Sequence, residues 1–520
     1  MSSHVPDSPN IVFFMVDQLS AKWLETASAG VCPTPNINRL REGGVTFSNA
    51  ISSNPVCCPT RATIATGLTT RGHGVLENGY QLDASIPTFM RSLQQNGWRT
   101  GAFGKVHFRP HFAGLYPDYR PYGFDVTCIT EDPRGGEWLD WVEKDHPEHY
   151  DAALATIWPT AIPDFAEYGP KAIDLKSRIE KIKAGFQWAT PEFPKNTGGA
   201  YTLPFPEEAS QTAWITEHGI GFIRETSPDL PLLAHISYVQ PHGPYCPPAE
   251  YMKYVVEDKI PTPAFPEWLE DPHAPAYFSD KKPVSGDWLY MRHCYFADIA
   301  HLDHQLGRIM EALEKTDRMD NTYLIFLSDH GDLLNDHGFR GKEERHYDAC
   351  IRVPLVIAGL GLQRGVTCDE LVQLEDICPT VFEMAGLAYP IMPKMGPYLK
   401  AAVESIPTLP GRSLLSLCRG ERPSDWREAA YSESYNAIWS VTPGDWARTI
   451  RTKDFRYTFY ANGNGEQMFH LRQDPNEQRN IVADAAYTGM RQELRDRLME
   501  LVVMQDYPKT RRDLFALGVH

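Results

Sequence analysis

The feature that most limits what this chain can become is a set of apolar runs that each stop at a residue able to do chemistry. Residues 11–16 (IVFFMV) are apolar on both parities, as a parallel strand covered on both faces would be, and the run ends at Asp17. Residues 323–327 (YLIFL) run into Ser328, Asp329 and His330, and residues 232–239 (LLAHISYV) lead towards His242. A weaker run at 99–103 precedes Lys105 and His107. Helical spacing falls between such runs: Phe296, Ile299, Ala300, Leu306, Ile309, Met310 and Leu313 share a face, with Asp298, Asp303 and Arg308 on others. The alternation predicts an α/β fold, a doubly wound and mostly parallel sheet flanked by helices. Ligands of such sheets sit beyond the carboxyl ends of the strands, so polar residues far apart in sequence converge on one pocket. Any one of them alone reads as a helix cap or a surface charge; their recurrence at four strand ends points to a site.

A chain of 520 residues exceeds the usual single core, which predicts a large domain over 1–425 and a smaller one over 426–520. In the latter, 447–452, 455–460 and 467–471 read as short strands, and Asn462-Gly463-Asn464-Gly465 as a hairpin turn. Met490, Leu494, Leu498 and Leu501 mark one face of a closing helix, so the second domain is expected to be an antiparallel sheet with a packed helix. Residues 108–202, rich in Pro, Gly, Tyr and Trp, are read as a loop-rich insertion near the pocket mouth. Its Trp138, Trp141, Tyr116, Tyr119 and Tyr122 could form an aromatic wall or a cage for a quaternary ammonium group, or serve ordinary loop packing. The tail 507–520, with Leu514, Phe515 and Leu517, could dock on a neighbouring copy in a homo-oligomer.

A net charge of −17 argues against nucleic acid or an anionic membrane as partner, since both would be repelled. An anionic substrate then requires a local cationic pocket. The polar first ten residues lead into an apolar run too short for a signal segment or a membrane span, which predicts a soluble, cytoplasmic protein. Ten cysteines without dense spacing or paired CxxC motifs read as reduced thiols.

Residues 57–61 read Cys-Cys-Pro-Thr-Arg, and 62–66 continue as a helix up to Gly67 with Pro59 in its first turn. Cys57 then stands at a helix N-terminus, where unpaired N–H groups favour a thiolate, an alkoxide or a bound oxyanion. A buried structural thiol is the other reading of such a cysteine.

Cys57, Pro59 and Arg61 resemble the Cys-x-Pro-x-Arg signature of the type I sulfatases of the alkaline phosphatase superfamily; a register starting at Cys58 fails at Thr60 and Ala62. The resemblance extends through Asn10-Ile11-Val12 to Asp17, Gly104-Lys105-Val106-His107, Pro241-His242-Gly243-Pro244, Leu302-Asp303-His304-Gln305-Leu306-Gly307, Ser328-Asp329-His330-Gly331-Asp332 and Arg352-Val353-Pro354. Met468-Phe469-His470-Leu471 with Asp474-Pro475-Asn476-Glu477 resembles the family's closing hairpin.

This resemblance implies an alkaline phosphatase-like catalytic domain and a hydrolase of sulfate monoesters, aryl or small alkyl, acting through a covalent sulfo-enzyme intermediate. Cys57 would be converted to 3-oxoalanine (formylglycine) by a formylglycine-generating enzyme. One hydroxyl of the hydrate attacks sulfur, and the second expels sulfate. By the same resemblance one divalent metal ion is held by Asp17, Gln18, Asp329, His330 and the residue-57 oxygen. Oxygen-rich ligation suits Ca²⁺, Mn²⁺ or Mg²⁺. The common family pattern has Asp at Gln18 and Asn at His330; the substitutions tilt the expectation towards Mn²⁺ and match the choline sulfatase and phosphonate monoester hydrolase branches. Arg61 corresponds to the residue that holds the hydrate, and Lys105 and Lys342 to those that grip sulfate. His107 corresponds to the base for sulfate release and His242 to the group that binds sulfate or protonates the leaving oxygen, with Asn78 also placed at the substrate.

Two other readings stand beside this one. A phosphonate monoester or phosphodiester hydrolase would use the same site, although that branch carries Tyr and Thr where Lys105 and His107 stand. A non-catalytic binding protein would keep the fold and leave Cys57 a thiol.

Overall fold

The computed structural model describes residues 8–158, 160–188, 196–197, 199–267, 286–342, 345–388, 410–435, 446–461, 463 and 465–505. Its main sheet is built from β1 (Asn10–Val16), β2 (Gly44–Ile51), β3 (Arg99–Gly104), β4 (Val126–Ile129), β5 (Leu232–Ser237), β6 (Thr322–Ser328), β7 (Arg352–Ala358) and β8 (Val366–Gln373). Their order is β4-β3-β5-β1-β6-β7-β2-β8. Pairing is parallel except for β7, which runs against both β6 and β2. The doubly wound, mostly parallel α/β sheet expected from the apolar runs is therefore present.

β1 is central and buried along its whole length, and its alternate residues enter two different cores. Val12, Phe14 and Val16 pack with Trp214 and Ile215 of the helix Gln211–Glu225 and with Phe296 and Ile299 of the helix Trp288–Lys315. Ile11, Phe13 and Met15 share the opposite core with Ala62 and Ala65 of the helix Cys57–Thr66 and with Phe89 and Met90. At about 1.5–3 kcal/mol for each such side chain fully buried, this one strand ties the two layers together. Its registers, Met15 with Ser237 and Val16 with Ser328, bring the ends of β5, β1 and β6 level. Gly104 pairs with Ser237, so β3 ends there too.

The stretch 108–202 differs from the loops expected. It adds β4 to the sheet edge and carries the helices Glu137–Asp145, Tyr150–Thr156 and Leu175–Gly185. These elements are separated by Pro and Gly, which masks their patterns: Leu175, Ile179 and Ile182 do share one face of the third helix, and Trp138, Leu139 and Val142 pack the first into the core. Trp138 is accordingly buried and donates from Nε1 to the Ala209 carbonyl. Tyr119 and Tyr122 are also core residues, bonded to Glu131 and the Leu82 carbonyl, while exposed Tyr116 donates to Asp140. The aromatic wall is not made by this set.

Asp298 and Asp303 are buried as well. Asp303 accepts from the backbone N–H groups of Asn36 and Ile37 (3.2 and 2.8 Å) and so caps the helix Pro35–Gly43, whose own N-cap Thr34 makes no side-chain capping bond and turns its hydroxyl to Ser28.

A second sheet comprises β9 (Ala430–Ser434), β10 (Ala447–Arg451), β11 (Phe455–Tyr460) and β12 (Glu466–His470), antiparallel in the order β12-β11-β10-β9. β9, half polar in sequence, escaped the strand reading. Leu494 and Leu498 of the helix Thr488–Gln505 pack beneath this sheet, with Met490 and Leu501 at the margin. The tail 507–520 and Asn462 and Asn464 of the turn lie outside the described residues. No described helix is long and apolar enough to cross a membrane, and all ten cysteines are free thiols.

Candidate active site

Because four strands end level, their following residues meet. Asp17 and Asp329 are fully buried past β1 and β6, Lys105 follows β3, and Gln18 adopts left-handed backbone (φ 65°) with its N–H donating to Asp329 Oδ1 (3.1 Å). Gly104 (φ 90°) makes the turn into Lys105; a Cβ there would lie 2.0 Å from the Ser237 carbonyl oxygen, so glycine is required.

The helix Cys57–Thr66 crosses these strand ends. Val56 is its N-cap and offers no side-chain bond, and Gly67 closes it in the left-handed conformation. The first-turn N–H of Cys58 is instead satisfied by Asn78 Oδ1 at 2.9 Å. Asn78 is therefore engaged as an external cap while also lining the cavity. One helical turn beyond Cys57, Arg61 reaches Asp329 Oδ2 (Nε, 2.8 Å), Asp17 Oδ2 (3.2 Å), the Lys105 carbonyl (2.8 Å) and Ser237 Oγ (2.9 Å). A fully engaged guanidinium fixes both aspartates.

Cys57 Sγ lies 3.1 Å from His330 Nε2, 3.9 Å from Asp17 Oδ1 and 2.8 Å from Lys342 Nζ. Lys105 Nζ bridges Asp17 and Asp132, at 2.6 Å from the latter. Burial would raise the proton affinity of Asp17, but Lys105, His242, Arg61 and Lys342 outweigh it and hold its carboxylate well below the usual range. Burial likewise opposes the charge on Lys105 and Lys342. Asp132 and Asp17 reverse this for Lys105, and Cys57 and Asp17 do so for Lys342, so both stay protonated. Burial, aided by Lys342, lowers His330 to about 4 against the pull of Asp329, leaving a neutral imidazole. Three buried cations, Arg61, Lys105 and Lys342, thus balance Asp17, Asp329 and Asp132, so the side chains alone make a neutral site, and a divalent cation bound among them would tip it towards the positive charge that an anion needs in an acidic protein.

Donor atoms of Asp17, Cys57, Asp329 and His330 all lie within 4.8 Å of one another and are buried. Two carboxylates, a neutral imidazole and an atom at position 57 fit one divalent cation. Sγ of Cys57 occupies the place an oxygen on that residue would take. Gln18 gives its amide nitrogen to Asp332 Oδ2 (2.6 Å), leaving the amide oxygen as its remaining donor atom. Asp332, not singled out from sequence, also accepts from Tyr245 Oη (2.7 Å) and from Gly341 N (2.8 Å), tying down the segment that carries Lys342.

His107 is buried, in left-handed backbone (φ 53°), and neither ring nitrogen has a hydrogen-bond partner among the described residues. His242 is half-buried, with Nδ1 2.7 Å from the Gly243 carbonyl and its ring stacked on Trp158. A cavity of about 930 Å³ opens beside Gln18, Asn78, His242 and Lys342. Its aromatic lining comes from Phe112, Trp158, Trp188, Tyr201 and Tyr245 rather than from the residues expected. Sequence reasoning missed these, and also missed Asp132 and His111. Asp132 could have been suspected only from a lysine needing a buried counter-ion.

The profile of the family described as Sulfatase matches residues 9–387, and one described as N-sulphoglucosamine sulphohydrolase, C-terminal, matches residues 335–504. The arylsulfatase of Clostridium perfringens (strain 13 / Type A) is 26% identical over 92% of this chain and 91% of its own. The choline-sulfatase of Rhizobium meliloti (strain 1021) is 26% identical over 91% of this chain and 82% of its own. Among solved structures, the phosphonate monoester hydrolase of Agrobacterium radiobacter shares the fold, with a TM-score of 0.73 at 24% identity and 96% of each chain covered.

Proposed function

Since this chain belongs to the sulfatase family and is a sulfuric ester hydrolase, we propose that it hydrolyses sulfate monoesters, aryl or small alkyl, with formylglycine at position 57 and one divalent ion, Mn²⁺ or Ca²⁺, held by Asp17, Asp329, His330 and Gln18. The observation that carries this reading is the meeting of Cys57 with two buried carboxylates and an imidazole, with Lys342 Nζ 2.8 Å from its sulfur.

A sulfate monoester resists attack because its oxygens repel a nucleophile, so the site must neutralise charge and present a positioned oxygen. Bound here, the metal would supply Lewis acidity at position 57 and at the ester oxygens. Hydrated formylglycine would supply an oxygen nucleophile and a second hydroxyl that allows sulfate to be expelled. Lys105 and Lys342 hold the sulfate oxygens as their charge shifts, and Arg61 keeps Asp17 and Asp329 in place. His242 protonates the leaving alcohol oxygen. His107, neutral and without a hydrogen-bond partner among the described residues, takes the proton whose loss releases sulfate. Asn78 holds the helix N-terminus that carries residue 57. The apolar, aromatic cavity supports an alcohol half with a flat ring.

Mass spectrometry of the peptide containing residue 57, from protein made in its own host, together with kcat/KM for an aryl sulfate and a phosphonate monoester, tests the proposal. Formylglycine and a preference for the sulfate are expected. An unmodified thiol in inactive protein would favour a binding role, and phosphonate preference by several orders of magnitude would reverse the substrate order.

A further inference from the structure

Behind Lys105 lies a second cluster: donor atoms of His107, His111 and Glu131 fall within 4.8 Å of one another. Spacing alone suits another metal ion, but the ring geometry does not. His107 and His111 lie face to face, centroids 3.8 Å apart and planes 13° from parallel. An imidazole binds a cation in its own plane at about 2.0–2.1 Å. Two nearly parallel planes at this separation share no point within that reach.

The cluster is instead an asymmetric pair. His111 is hydrogen-bonded at one ring nitrogen and ion-paired at the other, Nε2 lying 3.0 Å from Asp132 Oδ2 and Nδ1 3.3 Å from Glu131 Oε2. Burial opposes its charge, but Asp132 and Glu131 prevail and raise its proton affinity to about 9, so it is an imidazolium near neutral pH. His107 is the reverse. Burial first, then the charges of His111 and Lys105, push its proton affinity well below the ordinary value. The backbone N–H of His107 donates to Glu131 Oε1 (2.9 Å), which also accepts from Tyr119 Oη (2.7 Å). One carboxylate therefore fixes the backbone of His107 through one oxygen and faces a nitrogen of the ring stacked upon it with the other. Asp132, the other clamp, shares its second oxygen with Lys105 (2.6 Å).

We propose that His111 is a positioning residue for the reaction: set between Glu131 and Asp132, it holds the ring of His107 by a face-to-face stack, with both His107 nitrogens unengaged among the described residues. The inference rests on the reading of His107 as the base in sulfate release. Charged and titratable groups facing the pair are Glu131 and Asp132 after β4, Lys105 after β3, Arg61 and Cys58 on the helix Cys57–Thr66, Tyr119, and His242 across Asp132. His111 is the one cation among them stacked on the His107 ring.

The test compares wild-type protein, shown by mass spectrometry to carry formylglycine, with His111→Ala and His111→Phe, measuring kcat, KM and the pH profile of kcat on an aryl sulfate. For His111→Ala, kcat is expected to fall about 10- to 100-fold with KM within about threefold. The acidic limb should move to higher pH, because His107 loses the adjacent positive charge. His111→Phe keeps the ring and its bulk but not the charge; it should shift the limb in the same direction with a smaller loss of kcat, and it replaces the alanine variant if that fails to fold. A folded variant with the wild-type profile overturns the proposal. So does an activity loss that follows the loss of folded protein while the profile stays put. Modified wild-type protein that hydrolyses no sulfate ester overturns the functional reading and this inference together, whereas active protein indifferent to His111 overturns only this one.

Discussion

Lys342 Nζ lies 2.8 Å from Cys57 Sγ across 285 positions of sequence. The lysine is held in place through Gly341, whose N–H donates to Asp332, the residue that also takes the Gln18 amide. The cation nearest the reacting position and the segment after β1 thus share one anchor.

Cys57→Ala is expected to abolish sulfate ester turnover while leaving the fold intact, because position 57 supplies chemistry and little bulk. The stability cost of removing one buried sulfur is about 1–3 kcal/mol. Circular dichroism and thermal unfolding beside an aryl sulfatase assay check it; loss of folding would count against the assignment.

Lys105→Ala should reduce kcat/KM for an aryl sulfate about 10²–10³-fold, the usual loss for one preorganised charge donor. It also strands Asp17 and Asp132, both buried, at a cost of about 3–5 kcal/mol for breaking a buried ion pair from one side. Steady-state kinetics at matched folded concentration separate the two effects, and an unchanged kcat/KM would remove Lys105 from the site.

Chelation should abolish activity and lower the thermal midpoint, since Asp17 and Asp329 would lose a divalent counter-charge that Arg61 alone does not replace. Re-addition of Mn²⁺ or Ca²⁺ should restore both, and the more effective ion identifies the native one. Calorimetry with and without chelator reads the stability change independently of turnover; full activity after exhaustive chelation would refute metal dependence.

Stability should depend on His111 in a defined pH window. Its folded proton affinity, about 9, lies above the ordinary value of 6.5. The contribution is fully present below about 6.5 and is lost as pH rises through about 9. The thermal midpoint should therefore fall across that interval, and His111→Phe should flatten the fall. Equal slopes in the two proteins would show that other groups carry the effect.

Gly104→Ala should be strongly destabilising, by about 3 kcal/mol or more, because the new methyl meets the Ser237 carbonyl at 2.0 Å in a left-handed backbone. The same change displaces Lys105, so activity should fall further than stability predicts. A variant with the wild-type denaturation midpoint would contradict the geometry.

The strand ends were readable because burial on both faces leaves an apolar run with an abrupt polar stop, and Asp17, Asp329 and His330 occupy such stops. The helix carrying Cys57 was readable from Pro59 in its first turn and Gly67 at its close. The helices within 108–202 and β9 were not: Leu175, Ile179 and Ile182 do stand at helical spacing, but among so many Pro and Gly residues the signal is masked, and the half-polar β9 shows no apolar run. Of the two readings open for the aromatic residues of the insertion, cavity wall or ordinary packing, the sequence could not choose: whether a tryptophan lines a cavity or fills a core depends on the layer it meets, and Trp138 meets Ala209 and Phe205 while Trp158 meets His242.

By itself, then, the sequence determined the fold class and the residues standing at each strand end, because apolar patterning and chain direction are local properties. Long-range packing alone sets Asp132 against Lys105, lays His111 flat on His107, and makes Asp332 the anchor of both Gln18 and the Lys342 segment. Those pairings follow from strand order and from the level ends of β3, β5, β1 and β6, which arise only when distant segments hydrogen-bond in register.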